Sequence, residues 1–313
     1  MQGLRGLLVV INLLLLNVAL SAASAASLNG FDLRDALIPS QEIFHGGPGK
    51  DGIPAIDEPR FERVNEANWL NDDDRVMGLS LSGTHKAYPL RILNWHEIVN
   101  DQIGDRPVVV SYCPLCGSGL VMSARADGMD LKFGVSGLLY KSDMLLYDRK
   151  TESLWSQMMK QAISGDLQGT KLSLLTSQNT TWKDWRTAHP DTVVLSKETG
   201  YARNYSRNPY AGYEDQRDLY FPVSGIDPRY HPKQATLGIE LNGKHKAYPH
   251  VELDRAGGQV EEAFAGQDLI IRYDRTNQSA WIETPLGERL PTIESFWFAW
   301  MAFHPESEVF EAN

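Results

Sequence analysis

A block of nine residues occurs twice in this chain, and it constrains the fold more than any other feature. Residues 81–89 are LSGTHKAYP and residues 241–249 are LNGKHKAYP, so seven of the nine positions are identical. Two more blocks recur in the same order: YDRKTESLW at 147–155 and YDRTNQSAW at 273–281, then TWKDWRTAHP at 181–190 and FWFAWMAFHP at 296–305. Three colinear matches predict two related units that arose by an internal duplication.

The repeat divides the chain into five segments. We expect a signal peptide at 1–26, a Gly/Pro-rich arm at 27–74, a first unit at 75–200, a connector at 201–234 and a shorter second unit at 235–313. The first unit carries an insertion of 35 residues, 113–147, with no counterpart in the second unit. Residues shared by both units are predicted to be scaffold, and residues found only in the first unit are better site candidates.

The pattern within each unit is mainly that of β-strands. GLSLSGTHKAYP and GIELNGKHKAYP alternate apolar and polar residues around a Ser-Gly or Asn-Gly pair, which is typical of a hairpin turn. RPVVVSY and QDLIIRY predict buried strands, while LRILNWHEIVND and residues 182–189 have the spacing of helices. The predicted fold class is α+β with largely antiparallel sheets.

Residues 1–26 have the three regions of a secretory signal peptide: Arg5, an apolar run at 7–20 and the small-residue stretch SAASAAS. The apolar run is shorter than the ~20 residues that a bilayer span needs. We therefore expect a periplasmic or secreted protein whose mature chain has no membrane span. The formal net charge is −10 and no basic block is present, so a small molecule or metal ion is expected as partner rather than nucleic acid.

The only two cysteines of the sequence, Cys113 and Cys116, lie in one Cys-Pro-Leu-Cys-Gly turn. Cysteines three positions apart close a small ring, which is typical of metal knuckles and labile redox pairs rather than structural disulfides. Because no other cysteine exists, a four-cysteine structural site is excluded and any further ligands must be other side chains or a substrate. Sulfur ligands favour copper or zinc over calcium or magnesium.

His96 is the first candidate for a third ligand. It lies in NWHEIVND just before the cysteine strand, and the matching stretch of the second unit, LDRAGGQVEE, has no histidine. A hydrogen-bonded core histidine is the alternative. Asp143 belongs to a YKSD cluster that either orients a substrate or forms a hairpin tip, and Glu97 follows His96 directly; both are candidate catalytic residues.

Three other classes of protein fit the sequence poorly. Ser118 lacks the G-x-S-x-G spacing of a hydrolase nucleophile, and the CxxC motif is not followed by the helix expected of a thioredoxin-like enzyme. The glycines of the N-terminal arm do not form a phosphate loop, so no nucleotide cofactor is indicated.

Five long strings, GKDGIPAIDEPRF, LNWHEIVND, YCPLCGSG, FGVSGLLYKSDMLLYDR and TESLWSQ, resemble a mostly bacterial family catalogued as domain of unknown function 3179. The resemblance spans nearly the whole chain after the signal peptide and implies no settled biochemical activity. It also implies that the first cysteine position, Cys113, is steadier than the second, where threonine can replace Cys116 in similar sequences. The resemblance thus favours a site centred on Cys113 and His96, with Cys116 as an optional ligand or resolving thiol.

These observations leave three functional hypotheses. The first is an exported protein that binds copper or zinc at Cys113, Cys116 and His96, with oxidoreductase activity as one outcome. The second is a metal-free thiol enzyme in which Cys113 is the nucleophile, His96 lowers its pKa, and Asp143 or Glu97 orients the histidine. The third is a non-catalytic extracellular binding module in which the cysteines form a disulfide. The sequence leaves open whether the protein is an enzyme.

Overall fold

The computed structural model describes residues 27–312, so the predicted signal peptide at 1–26 lies outside the described residues. Within this range the protein is a strand-rich α+β structure with mostly antiparallel sheets, as predicted from the sequence. None of the helices in this range has the length and apolar character needed to cross a membrane.

The regular elements are short and numerous. The strands are β1 Ser27–Leu28, β2 Phe31–Asp32, β3 Ile43–His45, β4 Phe61–Arg63, β5 Arg75–Leu81, β6 Thr84–Pro89, β7 Ile98–Ile103, β8 Arg106–Cys113, β9 Ser118–Ser123, β10 Arg125–Ala126, β11 Met129–Asp130, β12 Phe133–Tyr140, β13 Asp143–Asp148, β14 Leu154–Ser156, β15 Gln161–Ser164, β16 Ser177–Thr181, β17 Val193–Leu195, β18 Ala235–Leu241, β19 Lys244–Pro249, β20 Gln259–Phe264, β21 Gln267–Asp274, β22 Ser279–Glu283, β23 Ile293–Phe296 and β24 Glu308–Val309. The helices are α1 Leu90–His96, α2 Trp182–Ala188, α3 His250–Arg255 and α4 Trp297–Phe303, with a 3₁₀ turn at Ser40–Glu42.

Four sheets carry most of these strands. Their orders are β15-β14-β13-β12-β3, β16-β5-β6-β17-β4, β24-β19-β18-β23-β9-β8-β7 and β20-β21-β22, and β1-β2 and β10-β11 form two small ribbons. Within the described strands, the parallel pairs are β6 with β17 and β19 with β24. The N-terminal arm adds an edge strand to two sheets, because β3 pairs with β12 and β4 pairs with β17.

The two copies of the HKAYP block form the predicted hairpins. Ser82 and Gly83 have φ angles of 53° and 76°, and Asn242 and Gly243 have φ angles of 51° and 74°. Positive φ at both central residues is the geometry of a two-residue turn whose twist matches the flanking strands. In each hairpin the turn joins directly paired residues, so the predicted hairpin turns are confirmed.

A tryptophan packs directly on a strand glycine in each of these hairpins. A Cβ atom added to Gly78 would lie 2.2 Å from the Trp185 ring, and one added to Gly238 would lie 2.0 Å from the Trp300 ring. The neighbouring histidines also stack in pairs, His85 on His189 and His245 on His304. The glycines are therefore required for close approach of helices α2 and α4 to the sheets.

The seven-stranded sheet joins strands from both repeated regions. Strands β7, β8 and β9 come from residues 98–123, and the other four come from residues 235–309. The join is between β23 and β9, where Glu294 pairs with Gly119. The cysteine turn connects β8 to β9 and so lies beside this join.

Two sequence-based element predictions need correction. The helix predicted over LRILNWHEIVND ends at His96, because Glu97 has a left-handed φ of 58° and β7 begins at Ile98. QDLIIRY forms strand β21, but it is only half-buried: Leu269 and Ile271 are in the core, and the other residues of the strand are not. RPVVVSY forms the buried strand β8 as predicted.

Candidate functional site

The Cys-Pro-Leu-Cys-Gly segment forms a tight turn at the end of the β8–β9 hairpin. Cys113 pairs with Ser118 in the ladder, and the Cys116 amide donates to the Cys113 carbonyl at 3.2 Å. Gly117 ends the turn with a φ of 57°, and a Cβ atom there would lie 2.8 Å from the Phe296 ring. Glycine is therefore needed both for the backbone conformation and for the space. Both cysteines are buried, and both are free thiols within the described residues.

Asp143 is brought to the cysteines by a second hairpin. Strands β12 and β13 are joined by Lys141 and Ser142, which have φ angles of 53° and 67°, and Asp143 is the first residue of β13. The two sulfur atoms and one carboxylate oxygen of Asp143 all lie within 4.8 Å of one another, and all three residues are buried. The YKSD cluster is therefore a hairpin tip and also supplies the carboxylate of this group.

A buried hydrogen-bond network holds the Asp143 carboxylate. Its Oδ2 accepts from the Met158 backbone amide at 3.1 Å, and the Ser118 hydroxyl lies 3.5 Å from its Oδ1. Ser118 donates to Gln157 Oε1 at 2.6 Å, and the Gln157 amide donates to the Ser111 hydroxyl at 2.9 Å. The network fixes the carboxylate relative to strands β8 and β9, and hence relative to the cysteine turn.

Burial favours the protonated forms of these groups. Loss of hydration raises the pKa of Asp143 to about 7, although the amides of Met158 and Met144 and the side chains of Ser118 and Cys113 oppose the shift. Burial raises the pKa of the Cys116 thiol well above its usual range, and the neighbouring Cys113 adds to that effect. A bound cation would reverse both trends, because it stabilises the thiolate and the carboxylate directly.

Glu97 is a second buried carboxyl group near this cluster. Its left-handed backbone caps helix α1, with its amide donating to the Leu93 carbonyl at 2.7 Å. Burial raises the pKa of Glu97 to about 8, the charge of Asp143 adds to the rise, and a hydrogen bond with Tyr210 opposes it. Two carboxyl groups therefore interact in one low-dielectric region.

His96 lies in a different set of contacts. Its Nδ1 is 2.7 Å from the Pro54 carbonyl oxygen and its Nε2 is 2.7 Å from the Tyr205 hydroxyl, so both ring nitrogens are engaged. It is fully buried, and burial lowers its pKa. His96 does not belong to the group of side chains formed by Cys113, Cys116 and Asp143.

A cavity of about 280 Å³ opens beside the cysteine turn. Pro114 contributes to its wall, and Tyr210 and Tyr213 of the connector line it as well. Burial raises the pKa of both tyrosine hydroxyls, and the charge of Cys113 adds to the rise. Tyr213 belongs to the same buried cluster as Cys113 and Cys116, and Tyr210 packs against that cluster. The cavity therefore lies between the connector and the cysteine turn.

Sequence reasoning missed three contributors to this region: Gln157, Tyr210 and Tyr213. The TESLWSQ string contains Gln157, and the tyrosine content of the connector was visible, but neither signal indicates a contact with the cysteines. The Ser142 carbonyl lies 3.9 Å from the Cys113 sulfur, a contact that depends on the β12–β13 turn.

The fold and the site together define a strand-rich α+β protein with a buried cluster of two thiols and a carboxyl group. The chain belongs to the family described as Protein of unknown function (DUF3179), whose sequence model matches residues 50–289. The resemblance inferred from the sequence strings is thereby confirmed. Comparison with the curated proteins and with the solved structures gave no match.

Proposed function

We propose that the protein binds one transition-metal ion, zinc or copper, through Cys113, Cys116 and Asp143. The observation that carries the proposal is the group of three buried donor atoms within 4.8 Å of one another. Donors on a shared tetrahedral metal lie about 3.5–3.8 Å apart, given metal–ligand bonds of ~2.0–2.3 Å. Small side-chain movements would therefore suffice to form the site.

The donor set favours zinc over copper(I). Thiolates suit both metals, but a carboxylate suits the harder zinc ion better. Three protein ligands leave a fourth position for water or a substrate, which is the arrangement of catalytic rather than structural zinc sites. The cavity beside Pro114 would be the route to that position. His96 is left out of this ligand set because both of its nitrogens are already hydrogen-bonded.

Metal analysis of the purified protein after loading with zinc, and of a separate sample after loading with copper(I), tests this proposal. We expect about one zinc per chain in the wild type and in Glu252→Gln, a control that removes a buried carboxylate outside the cluster. Cys113→Ser and Asp143→Asn should lose stoichiometric metal. Absence of zinc and copper(I) from the loaded wild type would refute the proposal. If His96→Gln loses as much bound metal as Asp143→Asn does, the proposed ligand set is wrong.

A metal-free thiol enzyme is the second candidate, and one contact favours it. An Asp143 carboxylate oxygen lies within 4.8 Å of the Cys113 sulfur, and burial raises the pKa of this carboxyl group to about 7, which suits a general base at neutral pH. Cys116 would then be the resolving thiol of an oxidoreductase. Iodoacetamide should alkylate Cys113 in the folded, metal-free protein, and Asp143→Asn should slow the reaction about tenfold or more. Alkylation that occurs only after unfolding would contradict this candidate.

Export is also part of the proposal. It rests on the sequence of residues 1–26, with Arg5 ahead of an apolar run and a small-residue cleavage region. N-terminal sequencing of the protein recovered outside the cytoplasm should find a mature chain that begins near Ala25 to Ser27. Recovery of the intact chain from the cytoplasm would contradict export.

We further infer that the two repeated regions are copies of one unit, with residues 113–147 inserted in the first. The order strand, helix, strand recurs after each HKAYP block, as β16-α2-β17 and β23-α4-β24. Gly78 with Trp185 and Gly238 with Trp300 make equivalent contacts. This inference supports the metal proposal, because it assigns both cysteines and Asp143 to the segment that only the first unit has.

A further inference from the structure

A second cavity, of about 330 Å³, borders the other end of the cysteine turn at Gly117. His250, the first residue of α3, and Glu294, on β23, both line it. His250 Nε2 and Glu294 Oε2 are buried, lie 3.9 Å apart, and have no hydrogen-bond partner among residues 27–312. Buried polar atoms are rarely left unpaired by the protein, so this pair of atoms calls for a ligand or solvent partner.

These two residues are not part of the shared scaffold. The two HKAYP blocks are followed by Leu90 in one region and by His250 in the other. Counting back from the matched tryptophans Trp182 and Trp297, Glu294 corresponds to Asn179. A histidine and a carboxylate therefore stand where the other region has an apolar residue and an amide. Packing of the repeated fold does not require either of them.

The surroundings of the pair are balanced in charge and partly aromatic. Arg75 Nη2 lies 3.6 Å from Glu294 Oε1, and the same guanidinium donates to the backbone carbonyls of Asn277 and Gln278. The rings of His250 and Tyr273 lie 4.9 Å apart. Arg75 thus balances the carboxylate charge but is already committed to backbone partners, which disfavours an anionic ligand.

We propose that this cavity binds a small polyhydroxylated molecule, a sugar or polyol, through a hydroxyl group held between His250 and Glu294. A hydroxyl oxygen about 2.8 Å from both atoms fits their separation, with an angle of about 90° at the oxygen. The hydroxyl donates its proton to Glu294 Oε2 and accepts from an Nε2–H of His250. Tyr112, Tyr273 and Phe296, which also line the cavity, supply apolar faces for the carbon skeleton.

The protonation of the pair agrees with a neutral ligand. Burial lowers the pKa of His250 to about 3, and the nearby Arg75 lowers it further, so the imidazole is uncharged at neutral pH. Burial raises the pKa of Glu294 to about 7, although Arg75 and Asn179 oppose the shift. An uncharged imidazole can donate one hydrogen bond to a hydroxyl oxygen but adds no charge to attract an anion.

Saturation-transfer NMR with D-glucose and glycerol as hydroxyl probes, and acetate as an anion probe, tests the proposal. The variants are Glu294→Gln, which keeps the shape of the side chain, and His250→Leu, which introduces the residue present after the other HKAYP block. The control is His45→Leu, at a position that does not line the cavity. Thermal unfolding checks that each variant is folded. If His250→Leu does not fold, the binding measured with Glu294→Gln alone tests the proposal.

We expect a hydroxyl probe to bind the wild type and the control, and to bind each cavity variant about tenfold more weakly, as for loss of one hydrogen bond to a buried partner. Three outcomes would overturn the proposal. They are no saturation transfer between the wild type and either hydroxyl probe, equal binding of a hydroxyl probe by all variants, and binding of acetate alone. The experiment is independent of metal binding, because Asp143→Asn should bind the hydroxyl probe as the wild type does.

Discussion

Replacing Glu97 by glutamine should make the metal-free protein more stable at alkaline pH. The carboxyl group is buried, and burial raises its pKa from 4.5 to about 8. The folded state therefore holds a proton more tightly than the unfolded state, so stability from this group is complete below pH 4.5 and is lost as the pH rises towards 8. Glutamine keeps an oxygen that accepts from Tyr210 but has no proton to lose.

The size of the effect follows from the pKa shift. Each pKa unit corresponds to about 1.4 kcal/mol, so a shift from 4.5 to about 8 corresponds to a loss of about 5 kcal/mol in the free energy of unfolding. About 2 kcal/mol of this loss should fall between pH 6.5 and pH 8. This window avoids His250 and His304, because loss of hydration lowers their pKa values to about 3 and they affect stability only below pH 6.5.

Urea unfolding followed by tryptophan fluorescence, with a chelator present throughout, measures the effect. The gap in unfolding free energy between Glu97→Gln and the wild type should widen by about 2 kcal/mol from pH 6.5 to pH 8. Glu198→Gln, which changes an exposed carboxylate, is the control and should follow the wild type. Parallel curves for Glu97→Gln and the wild type across this window would refute the assignment of Glu97 as a buried, protonated group.

Three further predictions concern the scaffold and the metal. Gly238→Ala should cost about 2–4 kcal/mol of unfolding free energy or prevent folding, because the new methyl group would lie 2.0 Å from Trp300. The control Gly49→Ala, whose new methyl group would have no atom within 4 Å, should cost less than about 1 kcal/mol. Equal costs for the two variants would contradict this packing. Asn100→Ala should cost about 2–4 kcal/mol in urea unfolding, because the Asn100 side chain donates to the Phe133 carbonyl and accepts from the Phe133 N–H. A cost below about 1 kcal/mol would show that these two backbone groups find other partners. Free zinc at 100 times its Kd should stabilise the chelator-treated protein by about 3 kcal/mol in thermal unfolding, and Cys113→Ser should show no such shift.

Local features of the fold followed from local sequence. The Ser82–Gly83 and Asn242–Gly243 turns were predictable because their backbone conformation depends on the two central residues themselves. The start of α1 and the strand character of β8 likewise followed from the spacing of apolar residues over a few positions. The end of α1 at Glu97 was not predictable, since a left-handed glutamate has no sequence signature.

The candidate site divides in the same way. The sequence by itself determined that Cys113 and Cys116 share one turn, because residues only three positions apart in the sequence must be close in space. Only the tertiary structure decided that Asp143 completes the group and that His96 is bonded to Pro54 and Tyr205, residues 42 and 109 positions away. The physical reason is that side chains on strands face one another according to ladder register and hairpin order, which are set by the packing of whole sheets.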